Sequence, residues 1–140
     1  MIAYFDTSAF VPLVIDEPAS RGAQALWDAA DQIVSVRLLY PEARAALARA
    51  RTLKRVTPTQ LRAAVEQADD LMTEIAVVEL TAALAREAGE LAERMSLRGY
   101  DAVHLAAARA VHDDDLVVAT NDAALRTAAS RTGLATANLL

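Results

Sequence analysis

Short apolar blocks alternate with helical periodicity along the whole chain, and that alternation decides the fold class. Ile2–Phe5, Ile33–Val36, Ile75–Val78 and Leu116–Ala119 are too short for helices and rich in β-branched or aromatic residues, so they read as buried strands. Helices are expected between them. Ser8 to Ile15 is apolar, tolerates Pro12 in its first turn and is capped by Thr7 or Ser8. Ser20 to Asp31 carries Ala23, Leu26, Trp27 and Ala30 on one stripe, with Trp27 a core residue. Leu38 to Arg55 is long, with Pro41 in its first turn, and Thr57-Pro58-Thr59-Gln60 opens a helix to about Met72. These two form a helical hairpin turning near Val56. Glu79 to Met95 shows a Leu80, Leu84, Leu91 stripe. The turn Arg98-Gly99-Tyr100 leads into a helix from Asp101 to about Val111. The last helix starts after Asp122, runs to Arg131 and is stopped by Gly133. Leu134 to Thr136 is a fifth, edge strand. Strands separated by helices run parallel and are covered on both faces. The class is therefore α/β: a three-layer α/β/α sandwich with a central, mostly parallel sheet of four to five strands.

Composition narrows the function. Residues 1–140 make one domain by size, and a chain of this length buries roughly 70% of its unfolded surface without staples. It contains no cysteine, which removes thiol nucleophiles, zinc-thiolate sites and disulfides and fits a cytoplasmic protein. The first residues lack a basic segment and their apolar run is broken by Asp6, so no signal peptide is expected. No apolar run is long enough to span a membrane. A net charge of −5 argues against binding nucleic acid through a generally basic surface. It leaves room for a nuclease, whose metal-binding carboxylates make the site itself acidic.

Four acids occupy related places. Asp6 follows the first strand, Asp122 follows the fourth, Glu42 lies in the first turns of the helix after the second, and Asp101 opens a helix. In a parallel sheet these positions share one edge, where open α/β sheets bind ligands. Each acid alone is also an ordinary cap residue. Converged, they would repel one another, and a divalent cation would remove the conflict. Oxygen donors without Cys or paired His favour Mg²⁺ or Mn²⁺. Such a site suits phosphodiester hydrolysis by metal-activated water, with Ser8, Thr120 and Asn121 orienting water or phosphate. His104 lies on the face of Asp101 and reads first as a packed helix histidine, while His112 has no evident partner. Arg51, Lys54 and Arg55 crowd a helix end, as cations that complement its dipole or as a basic lip for an RNA backbone. Asp113-Asp114-Asp115 reads as a solvated loop.

Four stretches carry a family resemblance. They are Tyr4-Phe5-Asp6-Thr7-Ser8-Ala9-Phe10 continuing to Asp16-Glu17-Pro18, and Leu39-Tyr40-Pro41-Glu42-Ala43-Arg44-Ala45-Ala46-Leu47. The others are Tyr100-Asp101-Ala102-Val103-His104-Leu105-Ala106-Ala107-Ala108, and Ala119-Thr120-Asn121-Asp122 with Leu125. In this order the set is specific: the chain resembles the PIN-domain ribonucleases, and within them the VapC-type toxins of bacterial toxin–antitoxin pairs. The resemblance implies that the family's acids fall on Asp6, Glu42, Asp101 and Asp122, its hydroxyl on Ser8, and its later polar residue on Thr120 or Asn121. It implies a Mg²⁺- or Mn²⁺-dependent endoribonuclease that cuts structured RNA such as tRNA or rRNA. It also implies a homodimer, silenced by a VapB-type antitoxin whose C-terminal segment enters the acidic pocket.

Two other functions remain open at this level. A catalytically weak RNA- or protein-binding module could use the same scaffold. An aspartyl phosphatase also places an Asp after its first strand, but it needs a second Asp two residues on, where this chain has Ser8, and a lysine near a strand end. The only lysine is Lys54.

Overall fold

A computed structural model describes all residues, 1–140. Five strands, β1 (Ile2–Phe5), β2 (Gln32–Val36), β3 (Ile75–Val78), β4 (Leu116–Ala119) and β5 (Ala135–Ala137), form one sheet in the order β3-β2-β1-β4-β5. Every neighbouring pair is parallel. β1 is central, with Tyr4 opposite Val34 on one side and Val118 on the other. Its side chains alternate between the two faces: Ala3 and Phe5 enter one apolar core, Tyr4 the other.

The first face is covered by α1 (Thr7–Phe10), a 3₁₀ turn at Val11–Leu13, α2 (Ser20–Ala29), α3 (Leu39–Thr52) and α4 (Pro58–Met72). Trp27 of α2 packs edge-on against Phe5 with ring centroids 5.3 Å apart and is 8% exposed, so it is core. The second face is covered by α5 (Ala82–Met95), α6 (Gly99–Ala110) and α7 (Ala123–Arg131). Small residues on α6, Ala102, Ala106 and Ala107, are fully buried and let it lie close to the sheet. This is the expected three-layer sandwich, with five strands, all parallel.

Local departures from the sequence expectation have identifiable causes. The cap before α1 is Asp6 itself, accepting from Ala9 N–H at 3.0 Å, and not Thr7 or Ser8. That helix ends at Phe10 and not Ile15, because Pro12 has no N–H to continue the ladder and the chain tightens into 3₁₀. α2 stops at Ala29, where Ala30 becomes extended. α3 stops at Thr52 and not Arg55. Lys54 adopts φ +60°, Lys54 N–H donates to Arg51 C=O and Arg55 N–H to Ala50 C=O, a Schellman closure built without glycine. α5 begins after the Thr81 cap, so Leu80 precedes it and is exposed instead of joining the inward stripe. α6 starts at Gly99, so the expected turn is its first turn and Asp101 lies within it. The edge strand is shifted by one residue, to Ala135–Ala137.

Candidate active site

The strand order reverses between β1 and β4: the chain moves outward one way through β2 and β3, then the other way through β5. A crevice opens at such a switch beyond the carboxyl ends of the strands. Asp6, Asp122, Glu42 and Asp101 all line one cleft there, of about 630 Å³. Topology thus brings together the four acids expected from the sequence, and Ser8 and Asn121 share the lining.

Asp6 is buried under hydroxyl and amide donors. Thr120 Oγ1 donates to its Oδ2 at 2.6 Å, Ser8 Oγ to its Oδ1 at 2.8 Å, and Ala9 N–H completes the set. Burial raises the Asp6 carboxyl above its ordinary range, while His104 and these donors pull the other way. Thr120 and Ser8 are linked to the rest of the loop. Thr120 Oγ1 accepts from Asp122 N–H at 3.0 Å, and Ser8 Oγ accepts from Asn121 N–H at 2.8 Å. Asn121 Nδ2 donates to Ser8 C=O at 3.3 Å, leaving the buried Asn121 Oδ1 without a partner.

Asp122 caps α7, its Oδ1 accepting from Leu125 N–H at 2.9 Å. Asp101 is 5% exposed and its carboxyl is also raised, by burial first and by the nearby Asp122 charge, against the pull of Arg98. Arg98 joins these two acids: its Nε donates to Asp101 Oδ2 at 3.0 Å and its Nη2 to Asp122 Oδ2 at 3.1 Å. Glu42 accepts from Thr7 Oγ1 at 2.9 Å and from His104 Nε2 at 2.6 Å. The other nitrogen of His104, Nδ1, lies 2.9 Å from the Tyr4 hydroxyl. Burial holds the Tyr4 phenol well above its ordinary pKa, so it keeps its proton. A carboxylate can only accept, so His104 Nε2–H is the donor to Glu42, and the Tyr4 hydroxyl holds the other ring nitrogen. His104 is buried, as a packed helix histidine should be, and also holds Glu42.

The donor set fits a hard divalent cation: four carboxylates and neighbouring hydroxyls, with no thiolate and one imidazole already engaged. As the side chains stand, no three acidic or imidazole groups converge on a single ion; Arg98 and His104 occupy their oxygens instead. Arg55 lines the cleft and pairs with Glu17 at 3.5 Å, whereas Arg51 and Lys54 lie outside it. Of these three cations, Arg55 alone lines the cleft. With Lys54 away from the acids, the aspartyl-phosphatase arrangement has no lysine to use. Thr7, Tyr4, Glu17 and Arg98 also take part in the site, a role their places in the sequence do not announce. Only Arg98 left a local trace, its position one helical turn before Asp101. No helix is long and apolar enough to cross a membrane.

Comparison with known proteins agrees with this geometry. The family model described as PIN domain matches residues 3–130. Ribonuclease VapC45 of Mycobacterium tuberculosis (strain CDC 1551 / Oshkosh) is 48% identical over 132 residues, covering 94% of this chain and 92% of that protein. Among solved structures, M. tuberculosis VapC20, described as a sarcin-ricin loop cleaving toxin, superposes with a TM-score of 0.71 at 22% identity, covering 90% of this chain and 94% of its own. A toxin–antitoxin complex from Klebsiella pneumoniae gives 0.68 at 16% identity, covering 99% and 98%. With a central parallel sheet, acids gathered at its switch point and a near-full-length match at 48% identity, the chain belongs to the PIN-domain family, in its VapC branch.

Proposed function

We propose that the cleft is the active site of a divalent-metal-dependent endoribonuclease, the toxin of a toxin–antitoxin pair. The observation that carries this reading is the convergence of Asp6, Glu42, Asp101 and Asp122 on one cleft in a chain 48% identical to a named VapC ribonuclease. These four residues would hold Mg²⁺ or Mn²⁺, which supplies charge stabilisation at phosphorus and a water acidic enough to attack. The chain's own contribution is positioning. Ser8 and Thr120 fix the Asp6 carboxylate, and His104 and Thr7 fix that of Glu42. Arg55, exposed at the cleft, meets a phosphate of the strand. The acidic cleft also suits a basic segment of a VapB-type antitoxin; a structural neighbour is a toxin–antitoxin complex. A structured RNA such as tRNA or rRNA, a homodimer and a cytoplasmic location belong to the same reading.

Cleavage of total RNA by purified protein, with Mg²⁺ or Mn²⁺ and with EDTA, tests it. Discrete metal-dependent fragments are expected, lost in both Asp6→Asn and Asp101→Asn. Unchanged cleavage in both variants would remove these acids from the site.

A further inference from the structure

Arg98 is placed where no cap or fold requirement puts it. It precedes α6 with no capping hydrogen bond from its side chain, and most of that side chain is in solvent. Yet its guanidinium spans Asp101 Oδ2 and Asp122 Oδ2, at 3.0 and 3.1 Å. The two acids come from α6 and from the cap of α7, so one planar cation joins two helix starts. A divalent cation held by these acids would need lone pairs on the same carboxylates. Both cannot use them fully at once. The guanidinium also lies 4.8 Å from the centroid of the exposed Tyr100 ring, which lines the same cleft. Arg98 thus already rests on this ring while it pairs with the acids, and the contact can hold the side chain at the cleft once the acids release it.

We propose that Arg98 is a resident counter-ion of Asp101 and Asp122 that a divalent cation displaces, and that the displaced side chain, on the Tyr100 ring, then takes a phosphate of the bound RNA. The inference rests on the nuclease reading of the cleft. It makes Arg98 a positioning residue with opposite effects on two ligands. In binding the cation it is a competitor. In binding RNA it is a contact. An arginine serving only the fold, or only the RNA, would not show both signs.

The test begins with Mn²⁺ binding by calorimetry to the wild type, Asp101→Asn, Arg98→Ala and Arg98→Lys. Binding that Asp101→Asn weakens establishes the cation site. Arg98→Ala should then bind Mn²⁺ roughly fivefold more tightly, as loss of an exposed pair to two carboxylates allows, with Arg98→Lys in between because it lacks the two-pronged donor. In the wild type, Mg²⁺ titration should move the Arg98 Nε–H resonance toward that of a free guanidinium. With Mg²⁺ present, Arg98→Ala should bind a short 2′-O-methylated RNA several-fold more weakly. Unchanged or weaker Mn²⁺ binding by Arg98→Ala, or an Nε–H signal indifferent to Mg²⁺, overturns the displacement and leaves the nuclease reading standing. Unchanged RNA binding overturns the second half alone. If neither wild type nor Arg98→Ala binds Mn²⁺, the cation site and the inference fall together.

Discussion

Replacing Thr120 with valine removes one oxygen and almost nothing else, which makes it the sharpest probe of how the cleft is held. Thr120 is completely buried, and valine matches its shape, so no cavity opens. The lost hydroxyl donates to Asp6 Oδ2 at 2.6 Å and accepts from Asp122 N–H at 3.0 Å. A hydrogen bond to a charged group contributes about 1.5–3 kcal/mol, and a stranded N–H costs about 1 kcal/mol more. Asp6 keeps its Ser8 and Ala9 donors, so the lower half of the range applies and the total is about 3 kcal/mol. For a chain of this size that lowers Tm by roughly 10 °C. Thr120→Ser keeps the hydroxyl and loses a methyl group, about 1 kcal/mol. Thermal unfolding at neutral pH should therefore rank wild type, serine, valine, with the larger gap before valine.

The pH dependence has a definite sign. Burial already raises the Asp6 carboxyl, and the Thr120 hydrogen bond is one of the forces holding it down. Without it the carboxyl rises further. An acid raised on folding costs stability when ionised, and that cost fades as pH falls through its folded pKa. The valine deficit should thus shrink in mild acid, while the acidic limb of the cleavage profile moves to higher pH. Equal stability of the valine and serine variants at neutral pH would refute this account of Asp6.

Other perturbations are as specific. Gly22→Ala should destabilise although it adds a better helix former in α2, because the new Cβ would lie 2.1 Å from the Leu139 carbonyl oxygen. The expected loss is about 1–3 kcal/mol, with faster carboxypeptidase trimming of the C-terminal residues; a gain in Tm would show that this segment yields freely. Arg55→Ala alone should weaken RNA binding and reduce its salt slope by about one, while Arg51→Ala with Lys54→Ala changes both less. Binding measured across a salt series would show the lip lies elsewhere if the two sets behaved alike.

Much of this architecture was legible because short apolar blocks are bounded by unambiguous caps. β3 and β4 have the expected limits, and α4 has its Thr57–Gln60 capping box. The four acids are legible as a set because each follows a strand end or opens a helix, positions that share one edge of a parallel sheet; their meeting in one cleft depends on the strand order, which sets β1 beside both β2 and β4. What escaped depends on partners distant in the chain. His104 could not be tied to Glu42 until Tyr4, on the central strand, appeared behind its ring. Arg98 shows one partner nearby, but its meaning comes from Asp122 across the cleft. The end of α3 was misplaced because Lys54 takes a left-handed conformation that sequence rules reserve for glycine.

The central position of β1 sets a timetable for biosynthesis. Within this sheet the middle strand leaves the ribosome before the other four, and one of its two neighbours, β4, follows only after β2 and β3. Until Leu116–Ala119 is available, β1 has an open edge. Thr120 cannot reach Asp6, and Asp122 is missing from the cleft. Pairing across such a separation is slow to form relative to local contacts. A nascent chain, however well its β1–β3 half has collapsed, therefore holds an incomplete acidic pocket. The cleft is assembled only when β4 and the start of α7 have been translated and docked, so that copies lacking them carry an incomplete site.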